Sequence, residues 1–144
     1  MNAKEESRID KKEDVETYLA QLRYALDTGA KITFQAKRLV DEKRPLKCTN
    51  QFTVTDLFPN ENPIDALRRE LRTLSVKNYL RTVKDIRFPS LSEMREFGKV
   101  YSGNKEVYIK IRVEMLGVGQ VPLFVVSFHY AMRPFSREVF PYKD

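Results

Sequence analysis

The chain has 144 residues, 42% hydrophobic and 32% charged, with a formal net charge of +6, which fits one soluble globular domain with a real core. No apolar run approaches a membrane span and the N-terminus carries no hydrophobic stretch, so no spanning segment and no secretory signal are expected, and the expected location is cytoplasmic. A single cysteine, Cys48, and a single histidine, His129, exclude an internal disulfide and a Cys/His zinc cage; Cys48 reads as a buried structural residue.

Residues 1–12 are charged and aperiodic and are expected to be disordered. Residues 13–144 are expected to form one α+β domain. Asp14 is positioned to cap a first helix, in which Val15, Tyr18, Leu19, Leu22 and Leu26 recur at helical spacing and Thr28-Gly29 provides the stop. Residues 31–58 are ambiguous. Ile32-Thr33-Phe34 reads as a short strand or as the start of a helix running through Arg38-Leu39-Val40, with Pro45 ending either. Phe52 to Thr55 fits a strand or a helix equally well. Asn62-Pro63 is a strong start signal, an N-cap followed by proline at the first helical position, and Ile64, Leu67, Leu71 and Leu74 follow at helical spacing. Ser75 is placed to cap a second short helix containing Val76, Tyr79, Leu80 and Val83, and Pro89 ends that pattern.

The last third alternates with period two. Ser92–Tyr101, Glu106–Met115 and Val121–Tyr130 read as three strands joined by Ser102-Gly103-Asn104 and by Gly117-Val118-Gly119. Connections this short imply an antiparallel meander. The middle strand is expected to bury Val107, Ile109, Ile111, Val113 and Met115. In the last strand Phe124, Val126 and Phe128 share one face, and Leu123, Val125, Ser127 and His129 the other. Helices followed by such a sheet give the α+β class, with N-terminal helices packed on a C-terminal antiparallel sheet.

The charge is concentrated. Between Ala66 and Arg112 twelve Lys and Arg face five acids, a local excess of +7. Such a segment favours a polyanionic partner. On the middle strand Tyr108, Lys110 and Arg112 share one face, and the neighbouring strand carries His129. Metal-free phosphodiester chemistry needs a group that titrates near neutrality together with fixed donors and cations, and a tyrosine, a histidine and lysines or arginines on one sheet face supply these. The same pattern also describes a solvated sheet face. No Gly-rich phosphate loop, no Ser-His-Asp spacing and no compact carboxylate pattern for a metal is present, and no cofactor is expected.

The strand motifs resemble those of the RelE-like superfamily of bacterial mRNA interferases, and within it the MqsR toxins. The penultimate strand of that branch reads Val-Tyr-Leu-Lys-Ile; here it is Val107-Tyr108-Ile109-Lys110-Ile111. Its last strand reads Leu-Ile-Val-Ser-Phe-Lys; here Phe124-Val125-Val126-Ser127-Phe128-His129. His129 and Arg81 stand where that branch has lysines, and the pair His129-Tyr130 is similar to the ending of relatives of the YoeB kind. The resemblance implies a RelE-like fold and a metal-independent RNA endonuclease, the toxin of a toxin–antitoxin pair. Tyr108, His129 and Arg81 would then converge on one scissile phosphate, with Lys110, Arg112, Arg95 and Lys77 binding RNA. The implied partners are RNA, an antitoxin protein and the ribosome, and no membrane. The alternative reading is a non-catalytic basic module that binds nucleic acid or protein, such as a regulator of a mobile element, and a third is an interaction domain whose strand faces a partner covers. The tail from Arg133 to Asp144, with its aromatics and prolines, is expected to cross or flank the site.

Overall fold

The computed structural model describes residues 5–34, 48–90, 92–116 and 121–144. The elements run β1 (Glu5–Arg8), α1 (Lys12–Asp27), β2 (Lys31–Phe34), α2 (Asn50–Leu57), α3 (Pro63–Leu71), a 3₁₀ turn (Val76–Asn78), β3 (Tyr79–Asp85), β4 (Met94–Tyr101), β5 (Lys105–Leu116), β6 (Val121–Tyr130) and a final 3₁₀ turn (Phe135–Arg137). The class is α+β, as expected. The six strands form one sheet in the order β1-β3-β4-β5-β6-β2. No helix among the described residues is long and apolar enough to cross a membrane.

The meander β4-β5-β6 is antiparallel throughout, with Ile111 opposite both Arg95 and Val126, and Tyr108 opposite both Gly98 and His129. Alternation then assigns the faces. Val107, Ile109 and Ile111 of β5 and Phe124, Val126 and Phe128 of β6 are buried in one core with Val15, Leu19, Leu22 and Leu26 of α1 and Leu67 and Leu71 of α3. Met115 departs from the expected burial: it lies near the far end of the hairpin and is 51% exposed. Between β4 and β5 the chain turns with Gly103 at φ 76° and Asn104 at φ 58°, left-handed values that a glycine and an asparagine accept readily. The Gly117-Val118-Gly119 turn lies outside the described residues, as do Arg38-Leu39-Val40 and Pro45.

The N-terminal half differs more from expectation. Residues 5–8 are not disordered but form β1, an exposed, charged edge strand antiparallel to β3 and tied by Arg8 to Glu93 and Asp10. Helix α1 starts one turn earlier than predicted, with Lys11 at the N-cap and Asp14 in the first turn, where a carboxylate still favours the helix dipole. Thr28 closes it and Gly29 follows at φ 105°. The ring of Tyr18 stacks on Phe97, while its buried hydroxyl finds no hydrogen-bond partner among the described residues and is pushed up to about 12 by desolvation. Ile32-Thr33-Phe34 is strand, and it makes the sheet mixed, because β2 runs parallel to β6.

Phe52 to Thr55 is helix. Beyond the end of β2, α2 takes over the β6 edge: Asn50 Oδ1 accepts from the Phe128 amide at 3.0 Å and Thr53 Oγ1 from that of Tyr130 at 2.9 Å. Two buried polar side chains thus satisfy backbone donors that lack a strand partner. Asn62 caps α3 as predicted, accepting from the amides of Ile64 and Asp65, and Cys48 is buried.

The predicted helix after Ser75 is replaced by a single 3₁₀ turn and then β3. Strand β3 is bulged: Tyr79 pairs with Phe97, but Arg81 pairs with Glu96, so two β3 residues span one step of β4. The extra residue is Leu80. Regular pairing would put Arg81 on the core face; the bulge sends it to the opposite face, with Leu80 buried beside it.

Candidate functional site

The sheet face opposite the helices carries Tyr108 and Lys110 from β5 and Ser127 and His129 from β6. The register places Tyr108 directly across from His129 and Lys110 across from Ser127. The Tyr108 and His129 rings lie 5.2 Å apart between centroids. These four residues form the floor of a groove of about 420 Å³, walled by Leu80 and by residues of the C-terminal tail.

The tail is held against this face by aromatic packing over a glycine. Gly98 sits in β4 opposite Tyr108, and a Cβ built there would lie 2.8 Å from the ring edges of both Phe135 and Phe140. The Phe135 amide donates to Glu106 Oε1 at 3.2 Å, and the Tyr142 ring stacks on Tyr79 while its hydroxyl donates to the Asp10 carbonyl. Gly98→Ala should therefore displace both phenylalanines and cost about 1–3 kcal/mol, as overpacking does. Chemical denaturation measures this; unchanged stability would mean that the tail does not pack on β4.

His129 is only 5% exposed although its ring lines the groove. Its Nδ1 lies 2.9 Å from the Tyr130 carbonyl oxygen. A carbonyl can only accept, so Nδ1 carries the proton and the basic lone pair of the neutral ring is on Nε2. Tyr108 is different in kind. Burial first, and then the Glu96 carboxylate to which its hydroxyl donates, push its phenol far above the usual value, so it remains protonated and cannot act as a base.

The predicted cations separate. Lys110 lies on the groove floor. Arg112 shares its face one alternation further along β5 and pairs with Glu114. Arg81 comes from the β3 bulge rather than from a helix end. Its guanidinium is held by two carboxylates, Glu96 at 2.6 Å and Glu138 from the tail. Arg95 is on the other side of the sheet: it pairs across to Ile111, and its guanidinium lies 4.3 Å from the centre of the Tyr18 ring, a cation–π contact on the helix face. Lys77 is exposed in the 3₁₀ turn. The sheet thus brings together Tyr108, His129 and Lys110, places Arg81 nearby in a neutralised state, and excludes Arg95. The parity of Phe97, two residues on and buried, already assigns Arg95 to the core face.

Two further residues belong to the groove and had no sequence signal beyond their place in the tail. Glu138 lines it and bridges Arg81 to Arg133, whose Nη2 donates at 2.7 Å. Burial alone would raise the Glu138 carboxyl; the hydrogen bonds from Arg133 and Arg81 outweigh it and hold the group below its usual value. Folding therefore gains from this carboxylate at neutral pH, and the gain is lost as pH falls through the depressed value. Among the described residues no three of His, Cys, Asp and Glu gather as metal ligands.

No protein-family model, curated protein or solved structure matches the chain.

Proposed function

We propose that the groove is the active site of a metal-independent RNA endonuclease of RelE-like type, acting in the cytoplasm as the toxin of a toxin–antitoxin pair. The observation that carries this reading is the cross-strand pair of Tyr108 and His129, with Lys110 beside it, on the floor of a groove of about 420 Å³. In this reaction a base removes the proton from the 2′-hydroxyl, whose oxygen attacks the adjacent phosphorus. The P–O5′ bond breaks, an acid protonates the departing oxygen, and a 2′,3′-cyclic phosphate remains.

His129 Nε2 is the group suited to proton transfer. Tyr108, locked in its protonated form, has one hydroxyl proton, which it shares with Glu96 in the free protein and would turn to a phosphate oxygen when RNA binds. Lys110 supplies positive charge where negative charge builds on phosphorus. Arg81 acts at one remove, by holding Glu96 beside the Tyr108 phenol. An antitoxin would have to cover this face, and association with the ribosome is a further proposal of the same reading.

The test is incubation of purified protein with single-stranded RNA in excess chelator. Cleavage is expected, and binding should weaken steeply with added salt as counterions are released. RNA bound but never cut, with or without magnesium, would instead favour a non-catalytic binding module built on the same face. No binding at low salt would remove both readings.

A further inference from the structure

The polar lining of the groove combines the cations Lys110 and Arg133 with the hydroxyls of Tyr108 and Ser127 and the ring of His129. Among the described residues that line it, Glu138 is the one carboxylate. Its side chain is 12% exposed, and it sits between guanidiniums from two separate elements, Arg81 of β3 and Arg133 of the tail, the latter engaged through both Nε at 3.2 Å and Nη2 at 2.7 Å. Arg133 donates twice to Oε1 and Arg81 to Oε2, so two convergent guanidiniums cover both oxygens of the carboxylate, and the same donors suit a pair of phosphate oxygens. The chain on either side of Glu138 is anchored without it, by Phe135 and Phe140 over Gly98 and by Tyr142 on Tyr79.

We infer that Arg81 and Arg133 form a phosphate subsite for the RNA strand, flanking the Tyr108–His129 centre, and that Glu138 occupies this subsite in the free protein as a built-in substitute for phosphate. The inference rests on the RNA-cleaving reading for the identity of the strand, but not for the existence of the anion site. RNA must displace the Glu138 carboxylate to bind, so its apparent affinity is reduced by the fraction of molecules in which the subsite is already filled. The Glu138 carboxylate of the tail then limits binding by competition for two guanidiniums rather than by blocking the whole groove.

The experiment is equilibrium binding of a fluorescein-labelled 2′-O-methyl hexauridylate, which cannot be cut, to the full chain. Glu138→Gln keeps the shape and removes the charge, and should tighten binding about tenfold, the expected release from a subsite filled about nine-tenths of the time. Glu16→Gln, on the exposed side of α1, changes net charge equally and should leave affinity unchanged. Adding Arg133→Ala to Glu138→Gln should abolish the gain. Glu138→Asp, too short to bridge both arginines, should give a smaller gain and serves if the glutamine variant folds poorly. Orthophosphate should compete with the probe more effectively in Glu138→Gln than in the parent.

The subsite is overturned if Glu138→Gln binds no more tightly than Glu16→Gln, or if the gain survives loss of Arg133. Failure here is separable from failure of the nuclease reading. His129-dependent cleavage with no effect of Glu138→Gln removes the subsite alone. A tightened Glu138→Gln that never cuts RNA leaves the subsite and removes the nuclease.

Discussion

Replacing His129 by alanine should lower the rate of RNA cleavage by about a hundredfold or more, the usual worth of a positioned acid or base. The side chain is buried against Tyr108, and its Nδ1–H is committed to the Tyr130 carbonyl, so the orientation of Nε2 is fixed before substrate arrives. His129→Gln is the companion variant: it retains hydrogen-bonding capacity and most of the volume but cannot shuttle a proton, and it should be as inactive as the alanine variant while melting closer to the parent. RNA affinity should change little in either. Tyr108→Phe removes one hydroxyl and preserves the ring contact with His129, so it should reduce cleavage less. Full cleavage and full toxicity from folded His129→Ala would remove the assigned role.

Ile111→Asp should unfold the protein. Ile111 is fully buried at the centre of β5, between Arg95 of β4 and Val126 of β6. An unpaired carboxylate there costs several kcal/mol, or neutralises at a similar cost, against a total stability of about 5–15 kcal/mol for a domain. Met115→Asp is the control: it lies on the same face of the same strand, but it is exposed near the end of the hairpin. That change should stay within about 0.5 kcal/mol, as surface changes do. Circular dichroism with denaturant titration separates the two. A folded Ile111→Asp protein would mean that the register of β5 is wrong.

The contrast between those two residues shows what periodicity can and cannot say. Alternation in β5 and β6 assigns faces correctly because each residue is paired across without a bulge, and it puts Tyr108 and His129 on the same side of the sheet. It does not say where the helices stop covering that sheet, which is why Met115 departs from the pattern. In β3 the signal misleads. Tyr79, Leu80 and Val83 have helical spacing because a bulge inserts Leu80 into an alternating strand, and no local pattern distinguishes the two cases. The bulge also decides where Arg81 points, so its place beside Glu96 depends on a backbone irregularity. Strand β1 has no apolar residue to mark it and exists through backbone pairing with β3 and the ion pairs of Arg8. Glu138 and Arg133 were out of reach for another reason: they meet the site through the packing of Phe135 and Phe140 over Gly98, a contact between segments far apart in sequence.

The most direct measurement of the central claim is end-group analysis of RNA cut by the purified protein in chelator. Attack by the 2′-hydroxyl must leave a 2′,3′-cyclic phosphate or the derived 3′-phosphate on one product and a 5′-hydroxyl on the other, and a single 2′-deoxy nucleotide at the cut position must block the reaction. Products ending in 3′-hydroxyl and 5′-phosphate, or cleavage that appears only when magnesium is added, would contradict the assignment of Tyr108 and His129 as a metal-independent cleavage centre.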